Sequence, residues 1–489
     1  MPELPSLSIR FREDLPRATR SRMDYAFRVF CAVQGFRAVP EGGDAGLCYG
    51  APPGRPGEVG LAAGYSLRPA SVPAPLPRLR ARNTLFPAGI APRPYPEFHP
   101  REDGAPDWLG EAFEWLSMAH EGSSTERDAV GRIPDESTLP FWAGLDPKVP
   151  YAALAFRGLA RDLAAGLGSS WDRPPLPPFR NGRGFGVAAT HDLDYLPLGL
   201  ADALSRLAKN CAIALLHDRD PRCAAGIALR GCRAMAAGRL PFDAVVAIAR
   251  RERRAGISAS YNVLCGRAHR RDGNYDPAGT RETQVLARVM GEGMELGVHG
   301  SYTSLARPGG LGAEYDRLEQ ATGHRPLGGR QHWLRFHGDE LFQALVRAGA
   351  GYDCSVGFSR HTGFRTGANF PYPPYDFSRE QPFPLVEFPL AVMDIALRQE
   401  AGQPGRAQAL CADLMTLARG WGWGGISVLW HDTVLSGLQI AQEIGDLYWS
   451  LPEPEDCWRS CAELLEAVRP RFAAAGLPLA GTARNGAIS

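Results

Sequence analysis

The sequence predicts an α/β protein. Beyond about residue 180 a mainly parallel sheet curls into a closed or nearly closed β/α barrel, preceded by a separate or packed-on α/β region. Three observations lead there. Amphipathic helical segments alternate with short apolar runs rich in β-branched residues. About seven such units in about 300 residues exceed what a small open sheet uses. Several of the apolar runs also hand over, at the same relative end, to aspartate, histidine or arginine.

The N-terminal part is the less regular. FRVFCAVQGFRAV (27–39) is ambiguous between helix and strand, whereas AFEWLSMAHEG (112–122) and VPYAALAFRGLARDLAAGL (149–167) have helical spacing. Arg68–Pro100 and Trp171–Phe179 are proline-rich, and because proline removes a donor and fixes φ both read as extended connections. The second sets a boundary, giving a region 1–180 whose role composition does not reveal and a barrel with C-terminal helices over 181–489.

Within the barrel GFGVAAT (184–190) is a strand and PLGLADALSRLAKNCAIALL (197–216) a helix; FDAVVAIARRERRAG (242–256) then gives way to the strand ISASYNVLC (257–265). The exchange recurs in RETQVLARVMGEG and MELGVHG, in GDELFQALVRAGA and GYDCSVGF, and in ALCADLMTLARG and GGISVLWHD. RRERR (250–254) falls on a helix and reads as a solvated face.

Composition limits the partners. The 489 residues carry 54 Lys and Arg against 53 Asp and Glu, a formal charge of +1, so no global field draws nucleic acid or an anionic membrane. No window approaches the roughly 18 apolar residues of a membrane span, and MPELPSLSIRFREDLPRATR lacks the apolar core of a secretory signal; the expectation is a soluble, cytoplasmic protein. The ten cysteines are dispersed without metal-site or disulfide spacing, and Cys457 and Cys461, one helical turn apart, read as reduced packing residues.

The strand ends carry the chemistry. Asp192 and Asp194 follow GVAAT, His299 follows MELGV, His431 follows GISVLW, and Arg330 and His332 lie in GGRQHWLRF. In a parallel barrel these ends converge on one face. Aspartates two apart on an extended chain share a side, and two close carboxylates resist double ionisation unless a cation joins them. A lone Asp-x-Asp is usually a solvated turn; histidines at matching strand ends turn it into a candidate metal and acid–base site.

The succession THDLD, VHGSYTS, RQHWLRF, YDCSVGF, VEFPLAVMD and VLWHD resembles the polysaccharide deacetylase family with the NodB-homology fold, a distorted (β/α)7 barrel, over about residues 183–450. ERDAVGRIPDESTLPF (126–141) extends the resemblance toward a branch of bacterial deacetylase-like proteins encoded in surface-polysaccharide gene clusters. The resemblance implies Asp192 as general base, Asp194 and His299 as metal ligands, Arg330 as the partner that orients the base, and His431 as general acid. It also implies a divalent metal, zinc foremost, and a carbohydrate substrate. The pattern breaks at Thr303, four residues after His299, where the family has a second metal histidine. Threonine is a poor zinc ligand. His332 is the preferred substitute and His191 another; a weaker, partly aqueous site or a lost one also fits.

Such a site would remove N-acetyl groups from a carbohydrate in surface-polysaccharide biosynthesis. Two other readings fit the same residues: a catalytically silent barrel that binds a glycan or an assembly partner, and a hydrolase of a non-sugar C–N bond. Tyr195, Tyr302, Trp333, Phe364 and Trp430 are candidates to line a sugar cleft, each equally suited to core packing, and Arg365 is a candidate for an acidic sugar. Glu387 and Asp394 are supporting groups or strand-end charges.

Overall fold

The computed structural model describes residues 4–65, 76–86, 91–101, 105–122, 124–171, 178–179, 184–421, 423–439, 442–477 and 479–480. Much of both proline-rich stretches therefore lies outside the described residues.

The chain opens with a parallel sheet of β1 (Ser6–Phe11), β2 (Arg37–Val39), β3 (Ala45–Tyr49) and β4 (Glu58–Leu61), in the order β2-β1-β3-β4. The helix Arg17–Gln34 joins β1 to β2 and stops at Gly35, whose φ of 77° closes the last turn onto the Cys31 carbonyl. The ambiguous segment 27–39 is thus both helix and strand, divided at that glycine. β5 (Arg78–Ala81) and β6 (Pro94–Glu97) form an antiparallel pair inside the proline-rich stretch.

The main sheet holds β7 (Phe185–Leu193), β8 (Ser260–Leu264), β9 (Glu295–Gly300), β10 (Gly328–Gln331) and β11 (Tyr352–Asp353). A small hairpin of β12 (Tyr375–Asp376) and β13 (Gln381–Pro382) precedes β14 (Val386–Glu387), β15 (Leu390–Met393), β16 (Gly424–Leu429) and β17 (Asp456–Arg459). The order is β14-β11-β10-β9-β8-β7-β16-β15, and every pairing is parallel. Its two end strands are separated by only Phe388 and Pro389, so one bent segment pairs with β11 through its first half and with β16 through its second. Proline has no N–H to give a ladder, which places the break at Pro389. The sheet is therefore a barrel of seven strand positions, distorted where that segment bends, with β17 packed beside the first half of β7.

Helices cover the outside, and apolar strand residues such as Val187, Val263, Val298 and Val428 share a buried cluster with Ile248, Leu286, Leu318, Leu345 and Leu414 from them. A second cluster runs from Phe30, Phe113, Trp115 and Phe156 of the N-terminal region to Tyr352, Phe370, Trp423 and Phe472, so one continuous core crosses residue 180. The ten cysteines are all free thiols. No helix among the described residues is long and apolar enough to cross a membrane.

Candidate metal and hydrolase site

The site is built where β7, β9, β10 and β16 end. β9 and β10 approach closely, since a Cβ on Gly329 would meet the Val298 carbonyl oxygen, and this register puts Arg330 beside His299. Asp192 is buried on β7, and Asp194 is the first residue past that strand.

Asp192 Oδ1 accepts from Arg330 Nη1 at 3.0 Å and from Asn262 Nδ2 at 2.8 Å. The Arg330 guanidinium is itself fixed, donating Nε to the Cys354 carbonyl at 2.8 Å and Nη1 to Thr190 Oγ1 at 2.9 Å. Burial opposes charge on Asp192, but His299 and Arg330 outweigh it and hold the carboxyl below its ordinary range.

His299 directs Nδ1 to the Arg330 carbonyl at 2.9 Å, which assigns the proton there and leaves Nε2 free. That Nε2 stands 3.2 Å from Asp194 Oδ1 and 3.5 Å from Asp192 Oδ2. His332 Nε2 faces the same Asp194 oxygen from 3.6 Å. Oδ1 of Asp194 is nevertheless buried without a hydrogen-bond partner. One oxygen and two ring nitrogens, all within 4.8 Å of one another, face the same space. Ligands of a tetrahedral zinc ion bound at about 2.1 Å stand about 3.4 Å apart, so Asp194, His299 and His332 fit a divalent metal in both chemistry and spacing.

His332 occupies an unusual piece of backbone. It is the first residue beyond β10, and the two residues after it, Trp333 and Leu334, have φ of 64° and 51°. Left-handed backbone at two successive non-glycine residues stores strain, and strain of this kind concentrates at functional sites. Thr303, in the loop after β9, has a buried hydroxyl lacking a hydrogen-bond partner, and a hydroxyl is a poor zinc ligand. His191 is turned the other way, its Nδ1 on the Trp430 carbonyl at 2.6 Å and its Nε2 on Glu252 at 2.8 Å. It cannot replace the missing histidine.

His431 follows β16. Asp394, the first residue past β15, accepts from its ring Nδ1 at 2.9 Å and from its backbone N–H at 2.7 Å, so Nε2 points inward, 3.7 Å from Asp194 Oδ2. Burial lowers the imidazole's proton affinity, but Asp394 and Asp194 raise it further, to about 10. Asp394 thus supports His431, whereas Glu387 lies on β14, bonded to the Val356 N–H.

The cleft candidates divide. Trp430 is fully buried with its indole N–H on the Ile444 carbonyl, because it alternates with His431 and faces the opposite side. Phe364 is buried in the barrel core. Arg365 is buried in a two-pronged pair with Glu121, at 2.5 and 2.8 Å. Tyr195 is buried against Phe242 with its hydroxyl on Asp202. None of these four presents a free polar group or ring face to a sugar. Tyr302 is half-buried, stacked on His269 between Arg271 and Arg335. Trp333, at 41% exposed, is the large aromatic left open beside His332.

Residues 126–141 lie against this face. Arg132 Nη1 donates to the Trp333 carbonyl, the Tyr302 hydroxyl donates to that of Val130, and Asp135 accepts from the Ser359 and Arg360 N–H groups and the His361 ring.

No family model matches the sequence, and no curated protein matches it. Among solved structures it is similar to a protein described as a polysaccharide deacetylase from Mycobacterium smegmatis, at 15% identity and TM-score 0.38, over 64% of this chain and 99% of that one. It is also similar to PuuE allantoinase (11%, TM-score 0.39, 61% and 95%) and to a mutant of a CE4 family pseudoenzyme (12%, TM-score 0.28, 60% and 72%).

Proposed function

We propose that the protein is a metal-dependent hydrolase of an amide C–N bond, and that the bond is the N-acetyl group of a carbohydrate used in surface-polysaccharide biosynthesis. The observation that carries the reading is the buried, unbonded Asp194 oxygen facing two histidine nitrogens, with a base and an acid on either side of it. A divalent metal held by Asp194, His299 and His332 would polarise the amide carbonyl and acidify the attacking water.

The chain's own residues supply the rest. Asp192, ionised and fixed by Arg330 and Asn262, takes the proton of the attacking water. His431, oriented by Asp394 with its inward nitrogen free, gives a proton to the departing amine. Trp333 offers a flat apolar face to a sugar ring at the edge of the site.

The test is acetate release from N-acetylated oligosaccharides and sugar nucleotides by metal-loaded protein, with Asp192→Asn as control. Release that needs the metal and collapses in the variant supports the reading. Metal binding without turnover of any amide would instead favour a silent glycan-binding barrel.

A further inference from the structure

Between β7 and β8 the chain inserts two helices, Leu200–Ala212 and Pro221–Ala236, joined by a wider turn at Ile213–His217. Their inner face packs through Leu207, Ala214, Ala224 and Ile227 against Tyr195, Phe242 and Leu438. Their outer face is apolar as well. Of ten exposed large apolar side chains among the described residues, seven lie between 198 and 229, and Leu215 and Leu216 are 51% and 74% exposed. Leu200, Leu204 and Ala208 repeat at four-residue spacing, one outward stripe of the first helix.

Charge on this insertion is one-sided in a chain that is nearly neutral. Residues 197–241 hold seven Lys and Arg against three Asp. All three acids are engaged within the fold: Asp202 with Tyr195, Asp218 with Arg398, and Asp220 as the cap of its helix. The cations Lys209, Arg219, Arg222, Arg233 and Arg239 are exposed. Leucines flanked by exposed cations on a helical face are what an anionic bilayer surface receives, acyl chains taking the leucines and headgroups the cations. A groove for a peptide or a flat patch for a second copy would not need the excess of positive charge.

The insertion is also tied to the site. Its first helix starts six residues after Asp194, and Asn210 Nδ2 and Arg230 Nε donate to the carbonyls of Leu438 and Gly437, just past the short helix Asp432–Leu435 that follows His431. We infer that residues 198–239 form a docking surface for an anionic membrane, which holds the mouth of the barrel at the bilayer. Resting on the proposed hydrolase reading, this favours an acceptor sugar carried on a lipid; the docking itself stands without it.

The experiment is co-sedimentation of the full chain with vesicles of phosphatidylcholine alone and with about one-third phosphatidylglycerol. Binding is expected to the anionic vesicles, to fall steeply as salt approaches about 0.5 M, and to drop about tenfold in Leu215→Ser/Leu216→Ser and in Arg222→Gln/Arg233→Gln. Both variants change exposed side chains and should keep the wild-type melting temperature and metal content. Equal binding in the leucine variant, or no binding to either vesicle, overturns the inference. So does a soluble dimer that the leucine variant converts to monomer, since the stripe would then be an interface between copies. The readout needs no turnover, so a negative result here leaves the hydrolase reading to its own test.

Discussion

Nε2 of His332 lies 3.6 Å from Oδ1 of Asp194, on a turn that directly follows the strand carrying Arg330. The residue where the family resemblance expects the second histidine, Thr303, offers only a hydroxyl, a poor zinc ligand. The metal position is therefore closed from a neighbouring strand. The wild-type chain is expected to hold about one zinc ion, and His299→Ala and His332→Ala to weaken it at least about tenfold, whereas Thr303→Ala leaves it unchanged. Zinc titration by calorimetry with elemental analysis decides; unaltered affinity in His332→Ala would remove it from the ligand set.

Asp394 bonds both the ring and the backbone N–H of His431. Asp394→Asn keeps the volume but removes the charge that orients the ring and holds it protonated. The turnover number should fall about 100-fold or more, with KM and bound metal little changed. A loss of metal in step with activity would mean that Asp394 shapes the metal site and does not act through His431.

Behind the site, His191 and Glu252 form a fully buried pair, and the hydroxyls of Tyr261 and Tyr448 also donate to the same carboxylate. This knot joins β7, β8, the helix Val245–Arg254 and the helix Gln442–Ser450. Glu252→Ala strands three buried donors and should cost about 3–5 kcal/mol in urea unfolding. A change below about 1 kcal/mol would show that water or repacking takes over the role.

Which parts of the site could be read from the sequence follows from what a strand encodes. Asp192, Asp194, His299, Arg330 and His431 sit at or just past the ends of apolar runs, and parallel topology brings such ends together. Alternation carries a further signal: Trp430 next to His431, and His191 next to Asp192, must face away from the site. His332 depended on two left-handed residues after it, a turn that no periodicity announces. The docking of Glu121 on Arg365 and of Asp135 on residues 359–361 joins positions more than two hundred apart, and no local pattern encodes such pairs.

Asp135 makes that docking sensitive to acid. Burial opposes its charge, but the His361 ring and the N–H groups of Ser359 and Arg360 bring its pKa down to about 2, below the ordinary 3.8. Between these values the unfolded chain binds more protons than the folded one, so stability rises with pH there. The contribution, about 2 kcal/mol, is complete above about pH 4 and lost as pH falls through 2. Asp135→Asn should lose that much at pH 6 and converge with wild type near pH 2. Denaturant unfolding of both across the range checks it, and parallel curves would show that Asp135 is not the linked group.

Trp333 allows strain and binding to be separated. Its φ of 64° costs an L-residue about 1 kcal/mol or more and costs glycine almost nothing, while its ring, 41% exposed, gains little from burial. Trp333→Gly relieves the strained torsion but loosens the unfolded chain, so the net change in stability should stay within about 1 kcal/mol. If the ring is the platform for a sugar, the same change should raise KM about fivefold or more, since stacking on an aromatic face is worth roughly 1 kcal/mol or more. Trp333→Phe, which keeps a smaller ring on the same backbone, should recover part of the loss. Zinc affinity must stay at the wild-type value in both, because a shift there would mean that the turn, through His332, was disturbed. An unchanged KM in Trp333→Gly with normal metal content would show that the exposed indole is not where the substrate rests.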